Sequence, residues 1–396
     1  MAVFLITFIM GTFVGSFLNV CIHRLPRNES IVAPGSKCYS CGTHVAWYDN
    51  IPVLSYLILR GRCRWCGASF SSGYLVIEVL IGLLSAAVVW LTLEHFQSGW
   101  CPAWVNVMPA TPQLLQAVSA AMVLSLVYYL VVATLTDLRY MIIPDELTKS
   151  FQVVAPYLAA LCGTNLQLYH LPPMAGDFGW FSPLPVSLRW LLDGEHQPHM
   201  RLLVEHVLPL VMVVSFLLIL SLPLAKRVYT TWVPEAQRWK GNDYRDFALG
   251  VAWFSGTIAL ATVVMTLVAL TRPFPESHIS NLGLSVQLSQ SILGALTGFV
   301  SLYAIGLLGT MLFRRSAMGF GDVKFIAPIG CFLGPLGVVM AFFVAAIIGT
   351  LVGVPMRLLK AQRELPFGPY LAAGALVVLV WGPHLYGFLK LHAAAS

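Results

Sequence analysis

Four cysteines and two aspartates could carry chemistry in this sequence. Cys38-x-x-Cys41 and Cys63-x-x-Cys66 stand as two pairs within one short segment. Each pair presents two sulfurs to one ion, so together they suit tetrahedral thiolate coordination of zinc. Four protein ligands leave no open position, which makes such a site structural; free thiols or a redox dithiol are the other readings of the same residues. Acidic residues are scarce, 17 in 396. Asp137 closes an apolar run in Leu135-Thr136-Asp137-Leu138-Arg139 and is followed by Ile143-Pro144-Asp145. Asp322 ends Gly319-Phe320-Gly321-Asp322, at the start of another apolar run. An ionisable group at the edge of a membrane helix is expensive to keep and is a functional candidate by default. Two carboxylates brought together titrate as a pair, giving one base to activate water and one acid to protonate a leaving amine. The glycines before Asp322 would let a substrate backbone come close. On spacing alone the plainer reading weighs as much: a helix end, an N-cap and a turn.

The elements that must hold these residues are membrane helices. Hydrophobic residues make up 58% of the chain and charged residues 10%, too few charges to cover a soluble protein of this size. About ten apolar spans are expected, over 2–20, 74–93, 114–136, 146–163, 202–225, 247–271, 290–313, 323–336, 337–356 and 369–390. The fourth carries Glu146 and Lys149, and the eighth is short and holds Pro328 and Pro335. With the N-terminus outside, all of the 23 lysines and arginines except Arg189, Arg201, Arg272 and Lys390 fall on one side, the cytoplasmic one. The net charge of +6 then reads as anchoring to the membrane surface, with no nucleic acid as partner. The fold class is an all-α polytopic membrane protein with a small cytoplasmic zinc-binding domain. Its parts are a first helix (1–20), the four-cysteine domain (21–73), helices carrying the first aspartate (74–163), inserted loops with an extra helical hairpin (164–289), and the helices after the glycine-aspartate turn (290–396). Segment 164–201 is placed outside, and Asp137 and Asp322 both fall at the cytoplasmic face.

The local words resemble the type IV prepilin peptidases, the Gly-x-Gly-Asp class of aspartyl membrane proteases. They are Gly15-Ser16-Phe17-Leu18-Asn19-Val20 with His23-Arg24-Leu25-Pro26, the two cysteine pairs, and Asn50-Ile51-Pro52 with Ser55-Tyr56 and Gly61. Asp137 with Ile143-Pro144-Asp145, Gly319-Phe320-Gly321-Asp322-Val323-Lys324 and Pro366-Phe367-Gly368-Pro369-Tyr370-Leu371 complete the series, in the family's order. The resemblance implies an aspartic endopeptidase of the bacterial inner membrane that removes the short basic leader of type IV prepilins and pseudopilins after a glycine. It implies Asp137 and Asp322 as the catalytic pair, with Asp145, Gly319, Gly321 and Lys324 in support. It also implies N-methylation of the new terminus from S-adenosylmethionine, with Gly61 and Glu78 at positions linked to that activity. Gly73-Tyr74-Leu75 stands where the family usually has a basic-Tyr-Pro sequence, and the stretch between Asp137 and Asp322 is longer than usual. Two other readings remain: a membrane aspartyl protease without methyltransferase activity, and a transporter or metal sensor.

Overall fold

The computed structural model describes residues 2–97, 112–162, 208–235, 243–271, 279–359 and 366–395. Segment 164–201, expected on the outer side, lies outside the described residues. Among the described residues the α-helices are α1 (Ala2–Arg24), α2 (Leu54–Ile58), α3 (Gly73–Gln97), α4 (Pro112–Tyr140), α5 (Asp145–Cys162), α6 (Leu208–Arg227), α7 (Asp243–Thr271), α8 (Ile279–Phe313), α9 (Phe320–Leu359) and α10 (Gly368–Ala395). Among the described residues the only β pairing is two isolated bridges, Lys37 with His44 and Arg62 with Ser69.

The polytopic all-α fold expected from composition is the one observed. Among the described residues, seven helices are long and apolar enough to cross a membrane, and α10 carries a shorter apolar stretch, Gly368–Gly382. Helix α5, the weak fourth span, is not among the seven. It carries Asp145, Glu146 and Lys149 in its first turns, which no membrane span accommodates cheaply, and it turns Thr148 and Gln152 into the protein interior. Many large apolar side chains point outward instead, among them Phe17, Trp90, Phe216, Leu220 and Leu351. A lipid environment, unlike water, makes such exposure cheap.

The described chain forms two compact units, the residues up to Leu147 and those from Thr148 onward. In the first, α1 and α3 run antiparallel at close quarters because glycines remove side chains from the contact. A Cβ on Gly11 would meet Ser85 Oγ at 2.5 Å, and one on Gly15 would meet the Glu78 Cα at 2.9 Å. Leu18, Ile22, Ile77, Ile81 and Val132 make the core of this unit, with Tyr128 and Leu135 of α4 packed on it. A hydrogen bond of 2.8 Å between Ser85 Oγ and Tyr128 Oη ties α3 to α4.

The second unit is built on α8 and α9. Gly334, with φ 72° and ψ 177°, interrupts α9, and the contacts on either side show a reversal. The limb 320–333 runs antiparallel to α8. A Cβ on Gly309 would meet Ala317 at 2.9 Å, one on Gly306 would meet Met318 at 3.6 Å, and one on Gly298 would meet the Ile326 carbonyl at 3.1 Å. Gly294 and Gly330 touch backbone to backbone, leaving no room for a Cβ on either. Beyond Gly334 the chain returns, since Gly298 also faces Val338. These limbs are the eighth and ninth expected spans. The limb 320–333 is about 21 Å long at ~1.5 Å per residue, shorter than the ~30 Å hydrocarbon core. The register places Asp322 level with Leu302, about 16 Å along the axis from the end of α8 at Phe313. Helix α10 lies against the second limb, with Gly374 against the Ala341 carbonyl and Gly349 against the Tyr370 ring.

Candidate functional site

The cysteine segment folds as two matching knuckles. In each, the N–H of the first cysteine donates to the carbonyl five residues on, Cys38 to Thr43 at 2.9 Å and Cys63 to Ala68 at 2.8 Å. The glycine after the second cysteine donates back to the first, Gly42 to Cys38 and Gly67 to Cys63, both at 2.9 Å. Both glycines have a left-handed φ, 71° and 69°, which only glycine adopts cheaply. The four sulfurs lie within 4.8 Å of one another, and Cys38 Sγ is 3.8 Å from Cys66 Sγ. Zinc–sulfur bonds of about 2.3 Å in a tetrahedron give sulfur separations of roughly 3.8 Å, so the donor set fits a metal ion of that kind. Hydrogen bonding by Thr43, side chain first and backbone second, draws Cys41 down to about 6. Cys66 receives a hydrogen bond from Ala68 that lowers it, yet desolvation and its three neighbouring thiols push it up to about 11. Clustered thiols resist ionising together, and a cation among them removes that conflict.

The second knuckle is fastened to the rest of its domain. Arg64 donates to both oxygens of Asp49, at 2.8 Å and 2.5 Å, and its guanidinium lies 5.6 Å from the Tyr48 ring centroid. This holds the Asp49 carboxyl below the usual carboxylate range. The domain is also tied to α3, where Glu78 Oε2 accepts a 2.8 Å hydrogen bond from the Val53 N–H. Gly61 turns with φ 66°, and a Cβ there would meet the Tyr56 hydroxyl at 2.8 Å. Gly61 and Glu78 thus each have a structural role within the first unit.

Asp137 lies in the last turn of α4 and is 7% exposed. Its carbonyl accepts from the Met141 N–H at 2.8 Å, and Met141, with φ 56°, ends the helix. Close to the same helix end, Arg139 Nη1 is 3.3 Å from His23 Nε2, and the His23 ring stacks on Tyr74. The C-terminus of α1, the N-terminus of α3 and the C-terminus of α4 thus share one end of the first unit, where the cysteine domain is attached. Asp145 begins α5, half-buried.

Asp322 belongs to the second unit and is half-buried in the first turn of α9. Its N–H donates to the Gly319 carbonyl at 3.2 Å, and its Oδ2 lies 3.5 Å from where a Gly319 Cβ would stand. Phe320 anchors the turn in an aromatic cluster, with ring centroids 4.4 Å from Phe247 and 6.3 Å from Phe299. Phe299 is itself stacked on Phe254 at 3.8 Å. Gly250 makes room for the Phe320 ring, which a Cβ there would meet at 2.5 Å. Lys324 is buried, with Nζ 5.1 Å from the Phe320 centroid.

Two features near Asp322 were missed from sequence. One is the aromatic clamp supplied by α7. The other is Gln152, whose Nε2 donates to the Lys324 carbonyl at 3.1 Å. In a continuous helix that carbonyl would pair with residue 328, but 328 is Pro and has no N–H. Gln152 supplies the missing donor. The signal was present, as a proline four residues after Lys324.

A family model described as "Bacterial Peptidase A24 N-terminal domain" matches residues 9–92, and one described as "Type IV leader peptidase family" matches residues 256–354. The chain belongs to the type IV leader peptidase family. The first match contains the four cysteines, Gly61 and Glu78; the second contains Gly319, Gly321, Asp322 and Lys324; Asp137 and Asp145 lie between the two. Among related leader peptidases, proteins named "Prepilin leader peptidase/N-methyltransferase" occur in Myxococcus xanthus, 44% identical over 147 residues and 37% of each chain, and in Stutzerimonas stutzeri, 23% identical over 97% of this chain and 93% of that one. Another, from Aeromonas hydrophila, is 24% identical over 96% of this chain and 91% of its own. No solved structure matches the chain.

Proposed function

We propose that this leader peptidase family member cleaves the basic leader from type IV prepilin or pseudopilin precursors by an aspartyl mechanism and N-methylates the new terminus. The observation that carries the proposal is Asp322 at the head of a buried helical limb, inside the segment that matches the leader peptidase model. Asp137 is its partner on the strength of its motif and its burial at the end of α4. One carboxylate takes a proton from water, and the other gives one to the departing amide nitrogen. Asp145 and Lys324 support the pair, and the glycines at 319 and 321 keep side chains out of the substrate backbone's way. The active end faces the cytoplasm, a reading supported by the concentration of lysine and arginine on that side. Zinc is the ion at the four cysteines and serves as a structural tie. Methylation rests on the names of the relatives, and S-adenosylmethionine would supply the methyl group.

Co-expression with a pilin-like precursor, followed by intact mass of the product, tests the proposal. Wild type removes the leader and adds the mass of one methyl group. Asp137→Asn and Asp322→Asn each lower cleavage by about 10²–10⁴ while the thermal transition in detergent stays in place. Cleavage that survives in both single variants overturns the aspartyl assignment. Leader loss without added mass leaves a peptidase alone.

A further inference from the structure

The words Asn50-Ile51-Pro52 and Ser55-Tyr56 frame α2 (Leu54–Ile58), a segment that the carboxylate chemistry leaves idle. One carboxylate fixes its level in the first unit. Glu78 Oε2 accepts from the Val53 N–H at 2.8 Å, and the Glu78 carboxylate also receives a hydrogen bond from the Ser16 side chain. Glu78 stands five residues after Gly73, the start of the α3 span, and Ser16 stands eight residues before Arg24, the end of α1. At ~1.5 Å per residue these offsets are about 7.5 Å and 12 Å. Helix α2 therefore begins beside the apolar spans of α1 and α3, at a level inside their ends.

Its outward side suits that level. Leu54, Leu57 and Ile58 recur at helical spacing on one face, and all three are exposed, Ile58 by 72%. The opposite face is occupied, because Ser55 Oγ donates to the Tyr48 carbonyl at 3.1 Å and the Tyr56 ring lies against Gly61. Backbone that enters hydrocarbon must find its partners inside the protein. Here the N–H groups of Ser55, Leu57, Leu59 and Gly61 donate to the carbonyls of Ile51, Val53, Ser55 and Tyr56 at 2.9–3.1 Å. The Val53 N–H, ahead of that series, is served by Glu78. Trp47, 80% exposed, precedes α2 and exposed Arg60 and Arg62 follow it. An apolar face flanked by an indole and guanidinium groups is the pattern of a segment lying in a membrane interface. We infer that α2 dips into the cytoplasmic leaflet, with Leu54, Leu57 and Ile58 among the acyl chains and Arg60 and Arg62 on anionic phospholipid headgroups. The four-cysteine domain is thereby seated on the bilayer surface by its own contact as well as by the helices at its two ends.

The test places a photoreactive benzophenone side chain at Leu54, Leu57 or Ile58 of the full chain, one position at a time. The protein is set in vesicles of equal phosphatidylcholine and phosphatidylglycerol and irradiated, and the adducts are read by intact mass and fragmentation. All three positions should carry phospholipid joined through its acyl chain, as should Leu83, an exposed residue within the α3 span. Adducts at Ile58 should favour phosphatidylglycerol by roughly fivefold or more, the scale of one basic residue near an anionic surface. Arg60→Gln with Arg62→Gln should bring that ratio to about one and leave the adduct itself in place. Three positions are used so that one at which the protein does not fold leaves two to decide. Labelling at Leu83 with no acyl-chain adduct at α2 overturns the inference. So does an adduct of twice the chain's mass at α2 in place of lipid, which would assign the face to a second copy. Equal labelling of the two lipids by wild type removes the headgroup contact.

Discussion

Asp322 and Lys324 share one helical turn, yet different parts of the chain hold them. Asp322 rests on Gly319 and on the anchoring of Phe320, and the backbone at Lys324 depends on Gln152. A buried carbonyl left without its donor costs about 1–3 kcal/mol. Gln152→Leu, close in volume, should therefore lower stability by about that much, read as an earlier thermal transition in detergent. Gln152→Glu should be no better, because a carboxylate cannot donate. A Gln152→Leu protein as stable as wild type would show that the Lys324 carbonyl finds another donor. Residues of this kind are poorly legible in a sequence. Asp137, Asp322 and the cysteines announce themselves by rarity and by local words, whereas Gln152 matters only because α5 lies against a proline-broken helix 172 residues away in the chain.

At the scale of elements, the cysteine knuckles were the most legible feature. Their geometry is local, with hydrogen bonds spanning five residues and glycines at the two left-handed positions. The limbs of α9 were also legible, since Pro335 and the glycines mark where a single helix cannot continue. The clamp on Phe320 was not, because Phe247, Phe254 and Phe299 look like ordinary lipid-facing or core residues until their facing is known. A domain of this length buries too little apolar surface to fold unaided, and a structural zinc contributes on the order of 10–16 kcal/mol in comparable small domains. Purified protein should hold one zinc per chain by atomic spectroscopy, and Cys63→Ser should lose it. Protease should then cut within the cysteine domain while the apolar helices stay protected. Zinc retained at full stoichiometry in that variant would place the ion elsewhere. Acid should release the ion as well, because protons compete with a metal for thiolates.

For the whole molecule, composition set the class, and the charge distribution set an expected orientation. The packing of α8 against the limb 320–333 adds a dimension that neither contains. Asp322 is recessed by about 16 Å from the end of α8, where Arg314 and Arg315 follow. If Asp322 acts on the substrate as proposed, a precursor entering from that end spans the recess before its peptide bond meets the carboxylate, and an extended chain does so in about five residues. On that reading the recess would act as a ruler. Leaders trimmed below that length should lose cleavage abruptly, as a step in a truncation series, because their charged residues would be pulled past the rim into a medium that cannot solvate them. A gradual decline across the series would mean that nothing is being measured out. The protein would then recognise its substrate by a length of chain as well as by the residues along it.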